Sequence, residues 1–230
     1  MLGVEVLLAT RGTTAPPSPE PVDACVGCDG SAPPLRTVWL GDSTAAGFGV
    51  TAPDGVVGRQ VARRLGRPVD VRVLAVGGAV AADVVAEQLP LVPADAQVVF
   101  ISVGANDTTH LVSTGSFSSS YRKVLAGIPA GACVVLLGVP DIGSAPRLAQ
   151  PLRAVAGWRS RALDREVRAI ARQSGATYVD IAGTTGPAFR RDRSLFADDG
   201  YHPGESGYAL WAGAVTSAMA SAGLPGRTCP

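Results

Sequence analysis

Only one of the 20 basic residues in this 230-residue chain is lysine, Lys123, and there are just two histidines, His110 and His202. Lys123 does not close the glycine-rich run of a phosphate-binding loop. No G-x-G-x-x-G with an acidic residue about 20 positions on follows the first β-prone stretch, so nucleotide binding lacks both its usual signatures. Net charge is +1, with 20 basic against 19 acidic residues. That balance offers no field for nucleic acid or an anionic membrane surface. Apolar runs are short: residues 2–9 are interrupted by Glu5, carry no preceding basic residues and fall below a membrane span. No integral membrane segment is expected, and 2–9 is a poor signal peptide as it stands, although it fits the tail of a longer export segment.

Cysteine is sparse: Cys25, Cys28, Cys133 and Cys229. A zinc site wants two closely spaced ligand pairs, and only Cys25-x-x-Cys28 offers one, with neither histidine near it in sequence, so no metal and no cofactor is expected. The pair also lies in a Pro/Gly-rich stretch instead of beside a βαβ pattern, which argues against a redox motif. Disulfides are the better reading if the chain is exported, and four cysteines leave three pairings open.

What is present is an α/β pattern. Residues 1–35 read as a Pro/Gly-rich leader or linker, 36–224 as one domain and 225–230 as a tail. The leader composition resembles that of an exported protein. Within the domain, strands are expected at 36–40, 69–76, 98–103, 133–139 and 177–181, the run at 98–103 being β-branched and continuous as in a strand buried on both faces. Helices are expected at about 55–66, 79–89, from a start within the serine-rich 113–120 with Phe117, Tyr121 and Leu125 on one face, at about 151–173 and at 205–222. In the fourth of these, Val155, Trp158, Ala162, Val167 and Ile170 are placed on the buried side and the six arginines on a solvated face. The last carries a stripe of Tyr208, Trp211, Ala212, Val215 and Met219. Alternation of this kind implies five parallel strands joined by helical crossovers, a three-layer αβα sandwich.

Polar and glycine signatures stand at successive strand ends: Gly41-Asp42-Ser43-Thr44, Gly77-Gly78, Gly104-Ala105-Asn106-Asp107 and Asp199-Gly200-Tyr201-His202. Open α/β sheets place their ligand sites at these ends. A serine hydroxyl needs a base to become a nucleophile, and His202 is the natural candidate. A carboxylate three residues before a histidine in a turn can orient the ring, which selects Asp199 over Asp198. Ser43 N–H, Gly78 N–H and the Asn106 amide could serve a developing oxyanion. Asp42 and Asp107 read as braces, and His110 as peripheral.

These four motifs, in this order, resemble the sequence blocks of the SGNH (GDSL) hydrolase family over roughly residues 37–222. The resemblance implies a flavodoxin-like αβα fold and ester hydrolysis through an acyl-serine, with Ser43, Asp199 and His202 catalytic and an oxyanion hole of Ser43, Gly78 and Asn106. Block spacing favours Gly78 over Gly77. The sequence departs at Val73, where members often carry Asn, and the leader has no counterpart. The partner class is then a small-molecule, lipid or glycan acyl ester. The readings in competition are a carbohydrate O-acetyl esterase or acyltransferase, since water or a sugar hydroxyl can resolve the same acyl-serine, a non-catalytic flavodoxin-like binding protein, and a cell-wall binding module that has lost activity. The segments 108–115 and 183–193 are expected to be loops that form the specificity walls.

Overall fold

The computed structural model describes residues 14–226 and Cys229; the apolar run at 2–9 and most of the tail after 226 lie outside the described residues. Six strands form one sheet: β1 Ala24–Val26, β2 Leu35–Gly41, β3 Val69–Val73, β4 Val98–Ser102, β5 Cys133–Leu137 and β6 Thr177–Val179, in the order β1-β3-β2-β4-β5-β6. The five expected strands are all there and all parallel, while β1 is an additional antiparallel edge paired through Ala24↔Val71. It comes from the segment read as a linker. A three-residue strand between glycines and prolines has no periodicity to reveal it, and β3's edge supplies its partner.

Alternation along the strands builds two cores. Trp39, Phe100 and Val135 face one side, and Val38, Leu40, Val99, Ile101 and Leu136 the other. On the first side Trp39 stacks on Phe100 with ring centroids 4.1 Å apart. Helices α2 Val57–Arg64 and α8 Glu205–Ser221 cover that side, the latter burying the expected Tyr208, Trp211, Ala212, Val215 and Met219. Helices α5 Thr114–Ala126 and α6 Leu152–Ser174 cover the other. Each buried aromatic or large aliphatic side chain contributes about 1.5–3 kcal/mol, so the two layers together dominate stability.

Three local expectations need correction. Helix α6 buries Ala156, Ser160, Leu163, Val167 and Ile170, whereas Val155 and Trp158 are exposed. Gly157 sets the rotation: a Cβ there would stand 3.1 Å from the Gly143 Cα, so the helix lies with this face against the 142–144 turn. The stretch 79–89 is a short α-turn, α3 Ala81–Asp83, that widens to a π-turn at Val84–Gln88 and tightens at Leu89–Leu91, Pro90 having no N–H to continue an α-helix. Residues 183–193 are mostly helix: α7 Ile181–Arg191 starts at Asp180, whose side chain accepts the Gly183 N–H, and buries Ile181, Thr185 and Phe189 at i, i+4 and i+8.

The cysteines pair as Cys25–Cys28 and Cys133–Cys229. The second ties the start of β5 to a residue 96 positions later. Chain order reverses around β2, with β3 on one side and β4 on the other, and the crevice at their carboxyl ends is where the site forms.

Candidate active site

Gly41 closes β2 at φ 138°, and any Cβ there would overlap the Ser102 carbonyl oxygen of β4. Glycine is required where two backbones come this close. The buried Gln88 side chain holds the same residue, accepting the Gly41 N–H and donating to the Gly41 carbonyl, both at 2.8 Å. Asp42 then caps the next turn, its carboxylate accepting from Thr44 N–H at 2.9 Å and Thr44 Oγ at 2.7 Å. Ser43 is thereby the first residue of α1 Ser43–Ala46, its backbone set by a strand end and a cap.

Its hydroxyl meets a histidine from the far end of the chain. Ser43 Oγ lies 3.0 Å from His202 Nε2, and His202 Nδ1 lies 2.6 Å from Asp199 Oδ2. The imidazole is buried between the rings of Phe48 and Tyr201. Its backbone is fixed by a hydrogen bond of 2.8 Å from the Ala197 N–H to the His202 carbonyl. Asp199 Oδ1 accepts the N–H groups of Tyr201 and His202, at 2.9 and 3.0 Å, and Oδ2 accepts a further N–H, that of Ala15, at 2.9 Å. Burial opposes charge on this carboxyl, yet the His202 ring and the three N–H donors outweigh it and hold its pKa well below the usual range. A carboxylate that stays ionised and accepts from Nδ1–H leaves Nε2 as the acceptor facing the serine.

Three candidate donors, on Ser43, Gly78 and Asn106, border the same cavity. Gly78 has φ 86° and open space where a Cβ would be. A Cβ on its neighbour Gly77 would meet the Phe48 ring, and Gly78 is the one of the pair that lines the cavity. The Asn106 amide gives one proton to the Ala79 carbonyl at 3.0 Å and keeps the other. Among the described residues the N–H groups of Ser43 and Gly78 donate to no protein acceptor. Asn106 stands in α4 Ala105–Thr109, entered through Gly104 at φ 135°.

Asp107 braces the loop that carries Gly78: both its oxygens accept the Ala81 N–H, at 3.3 and 3.1 Å. Burial pushes its carboxyl up to about 6 against that hydrogen bond, with the charge of Asp42 adding to the effect. Asp42, also buried, is raised for the same first reason. A carboxyl raised in the folded state opposes folding once ionised, so the penalty is absent below about pH 4, grows through the window up to about 6 and is complete above it. Its size for Asp107 is on the order of 3 kcal/mol. Asp107→Asn is therefore expected to lose less stability than the wild type between pH 4 and 6, measured by urea unfolding across that range; parallel curves for the two proteins would contradict this.

These groups open onto a cavity of about 580 Å³, lined on its apolar side by Phe48, Leu111, Leu148, Leu152, Val155 and Ala156. Exposed Val155 is thus part of a wall. Ser43 and His202 also border a second recess of about 40 Å³ under Ile142, Phe189, Phe196 and Trp211. Both expected specificity segments line these spaces, Thr108 to Leu111 the large one and Thr185 to Phe189 the small one. His110 stands at the rim of the large cavity, exposed. The five residues given catalytic or oxyanion roles from the sequence are brought to one crevice: Ser43, Asp199, His202, Gly78 and Asn106.

Sequence reasoning placed Gln88 with Val80 and Val84 on the weak stripe of 79–89 and missed that its side chain holds Gly41. It missed Arg159, counted with the solvated arginines, which donates to the Thr108 and Val112 carbonyls at 3.1 and 2.7 Å and so holds the cavity wall. It also missed Ala15, whose contribution is a backbone N–H and has no side-chain signature.

A crevice of this composition at the strand ends of an αβα sandwich defines a class, and the chain belongs to it: residues 39–210 match the model of the GDSL-like Lipase/Acylhydrolase family. Among individual proteins, it is 32% identical over 198 residues to a GDSL-like esterase of Mycobacterium tuberculosis, a match covering 82% of this chain and 62% of that relative's length. The fold is shared with phospholipase A1 from Streptomyces albidoflavus, at 20% identity and a TM-score of 0.63 over 82% of this chain and 99% of that one. It is shared equally with the lipase/acylhydrolase from Enterococcus faecalis, at 20% identity and a TM-score of 0.64 over 85% and 98%.

Proposed function

We propose that this chain hydrolyses carboxylic acyl esters through a covalent intermediate on Ser43, and that the group it accommodates is largely apolar. The observation that carries the proposal is the hydrogen-bonded path from Asp199 through His202 to Ser43, ending on an apolar cavity of about 580 Å³. In the first half of the reaction Ser43 Oγ attacks the ester carbonyl carbon as its proton passes to His202 Nε2. Asp199 stabilises the imidazolium, and Ser43 N–H, Gly78 N–H and Asn106 receive the oxyanion. The C–O bond to the alcohol then breaks, and the leaving oxygen takes the proton from His202. Water repeats the sequence on the acyl-serine: its proton goes to His202, the acid departs, and Ser43 recovers its hydrogen.

Mapping the adduct of a fluorophosphonate probe tests this, with label expected on the peptide containing Ser43 and absent when the protein is denatured before the probe is added. Label elsewhere, or none, would sink it. The carbohydrate O-acetyl reading has one observation in its favour, the recess of about 40 Å³ beside Ser43, a size suited to acetyl. With p-nitrophenyl esters as substrates, faster turnover of the octanoate than of the acetate follows from the larger cavity, and the reverse order from the recess. We infer export too, supported by two disulfides of a kind that persists in oxidising compartments and by the proline-rich amino-terminal segment.

A further inference from the structure

We propose that residues 14–18 act as a strap whose Ala15 N–H positions Asp199 for catalysis, making this segment a working part of the site; the proposal rests on the reading of Ser43 as nucleophile. Of the four hydrogen bonds that Asp199 accepts, three come from its own turn, the Tyr201 and His202 N–H groups and the His202 ring. The fourth, from Ala15 at 2.9 Å, is among the described residues the one donor that reaches it from a distant part of the chain. It lands on Oδ2, the same oxygen that accepts from His202 Nδ1. The Asp199 side chain is 2% exposed, so water has no easy route to replace a missing donor. With Ala15 in place both oxygens have two partners, and the carboxylate is pinned in the rotamer that faces the imidazole. Without it, Oδ2 keeps one partner in a buried site, a deficit that favours rotation of the carboxylate away from the ring.

The strap is built to stay there. Ala15 and Ser18 are buried, and the Pro16 carbonyl accepts the Gly49 N–H at 3.3 Å, linking the strap to the loop that follows α1. Gly49 in turn leaves room for His202: a Cβ there would stand 3.2 Å from the His202 Cβ. Downstream, the Arg59 guanidinium donates to the carbonyls of Pro21, Val22 and Asp23. Asp23 accepts the Val73 N–H at 2.8 Å, and β1 follows at once. Pro16 and Pro17 hold the chain extended and have no N–H of their own. Between the anchored β1 and the site, then, the strap carries few conformations to lose on docking.

The test replaces Ala15 by proline in the full chain. Ala15→Pro deletes the N–H and puts the ring Cδ in its place against Asp199 Oδ2, so the strap can no longer dock on that oxygen. Rates are counted per fluorophosphonate-labelled Ser43, so an unfolded fraction does not enter. The expected result is a kcat roughly tenfold lower with KM unchanged, the size of one hydrogen bond to a charged group, while Ala15→Gly, which keeps the N–H, retains the wild-type kcat. Unchanged kcat in Ala15→Pro would overturn the proposal, as would an equal loss in Ala15→Gly, which would assign the effect to packing. Failure of wild-type Ser43 to label would instead defeat the underlying reading of the nucleophile, and is seen separately.

Discussion

Ser43→Ala is expected to lower kcat for p-nitrophenyl esters by about 10⁶, the scale on which removal of an activated serine operates. The fold should survive the change. Ser43 opens a four-residue helix whose cap is the Asp42 side chain and whose entry is held by Gly41 and Gln88, so none of the local hydrogen bonds depends on the serine hydroxyl except that to His202. Alanine is the better helix former. Circular dichroism and the urea midpoint should therefore match the wild type while turnover disappears. Any rate that remains has to come from water attacking an ester held against the oxyanion donors, and it should show no burst of released alcohol. Turnover within tenfold of the wild type would mean that another group is the nucleophile.

Asp199→Asn is expected to cost about 10⁴ in kcat. The carboxylate now accepts Nδ1–H from His202 at 2.6 Å. An amide is nearly the same size but can present its NH₂ to the ring, which reverses the tautomer, places the hydrogen on Nε2 and leaves nothing to take the serine proton. The three backbone N–H groups that converge on Asp199 add to the penalty. Two of them meet the remaining oxygen at best, and a third faces a donor. Stability should fall as well, in contrast to Ser43→Ala, so the two variants separate chemistry from architecture. Stopped-flow measurement of acylation would place the loss in the first chemical step. A decrease of less than about tenfold would show that His202 holds its tautomer without the carboxylate.

How much of this could be read from the letters depended on whether the information sat in side chains. The parallel strands are runs of buried β-branched and aliphatic residues, and Ser43, Asp199, His202, Gly78 and Asn106 carry recognisable chemistry at strand ends, so the core of the sheet and the centre of the site were legible. Helix α7 was not, because Gly183, Gly186 and Pro187 look like breakers while the stripe of Ile181, Thr185 and Phe189 depends on packing to declare itself. The buried face of α6 was misread for a related reason: hydrophobicity pointed to Trp158 and Val155, but the contact of Gly157 with Gly143 decided the rotation. Ala15 and β1 act through the backbone, which every residue has, and no periodicity distinguishes them.

The sheet also has a property that follows from its two rims. Its outermost strands, β1 and β6, are three residues long each, whereas the inner four run to five or seven. A rim that short gives a neighbouring molecule too few free N–H and C=O groups to add a strand of its own. Trimming the chain back past β1 would uncover Val69, Asp70 and Val71, make the five-residue β3 the edge, and turn a blunt margin into a template for aggregation.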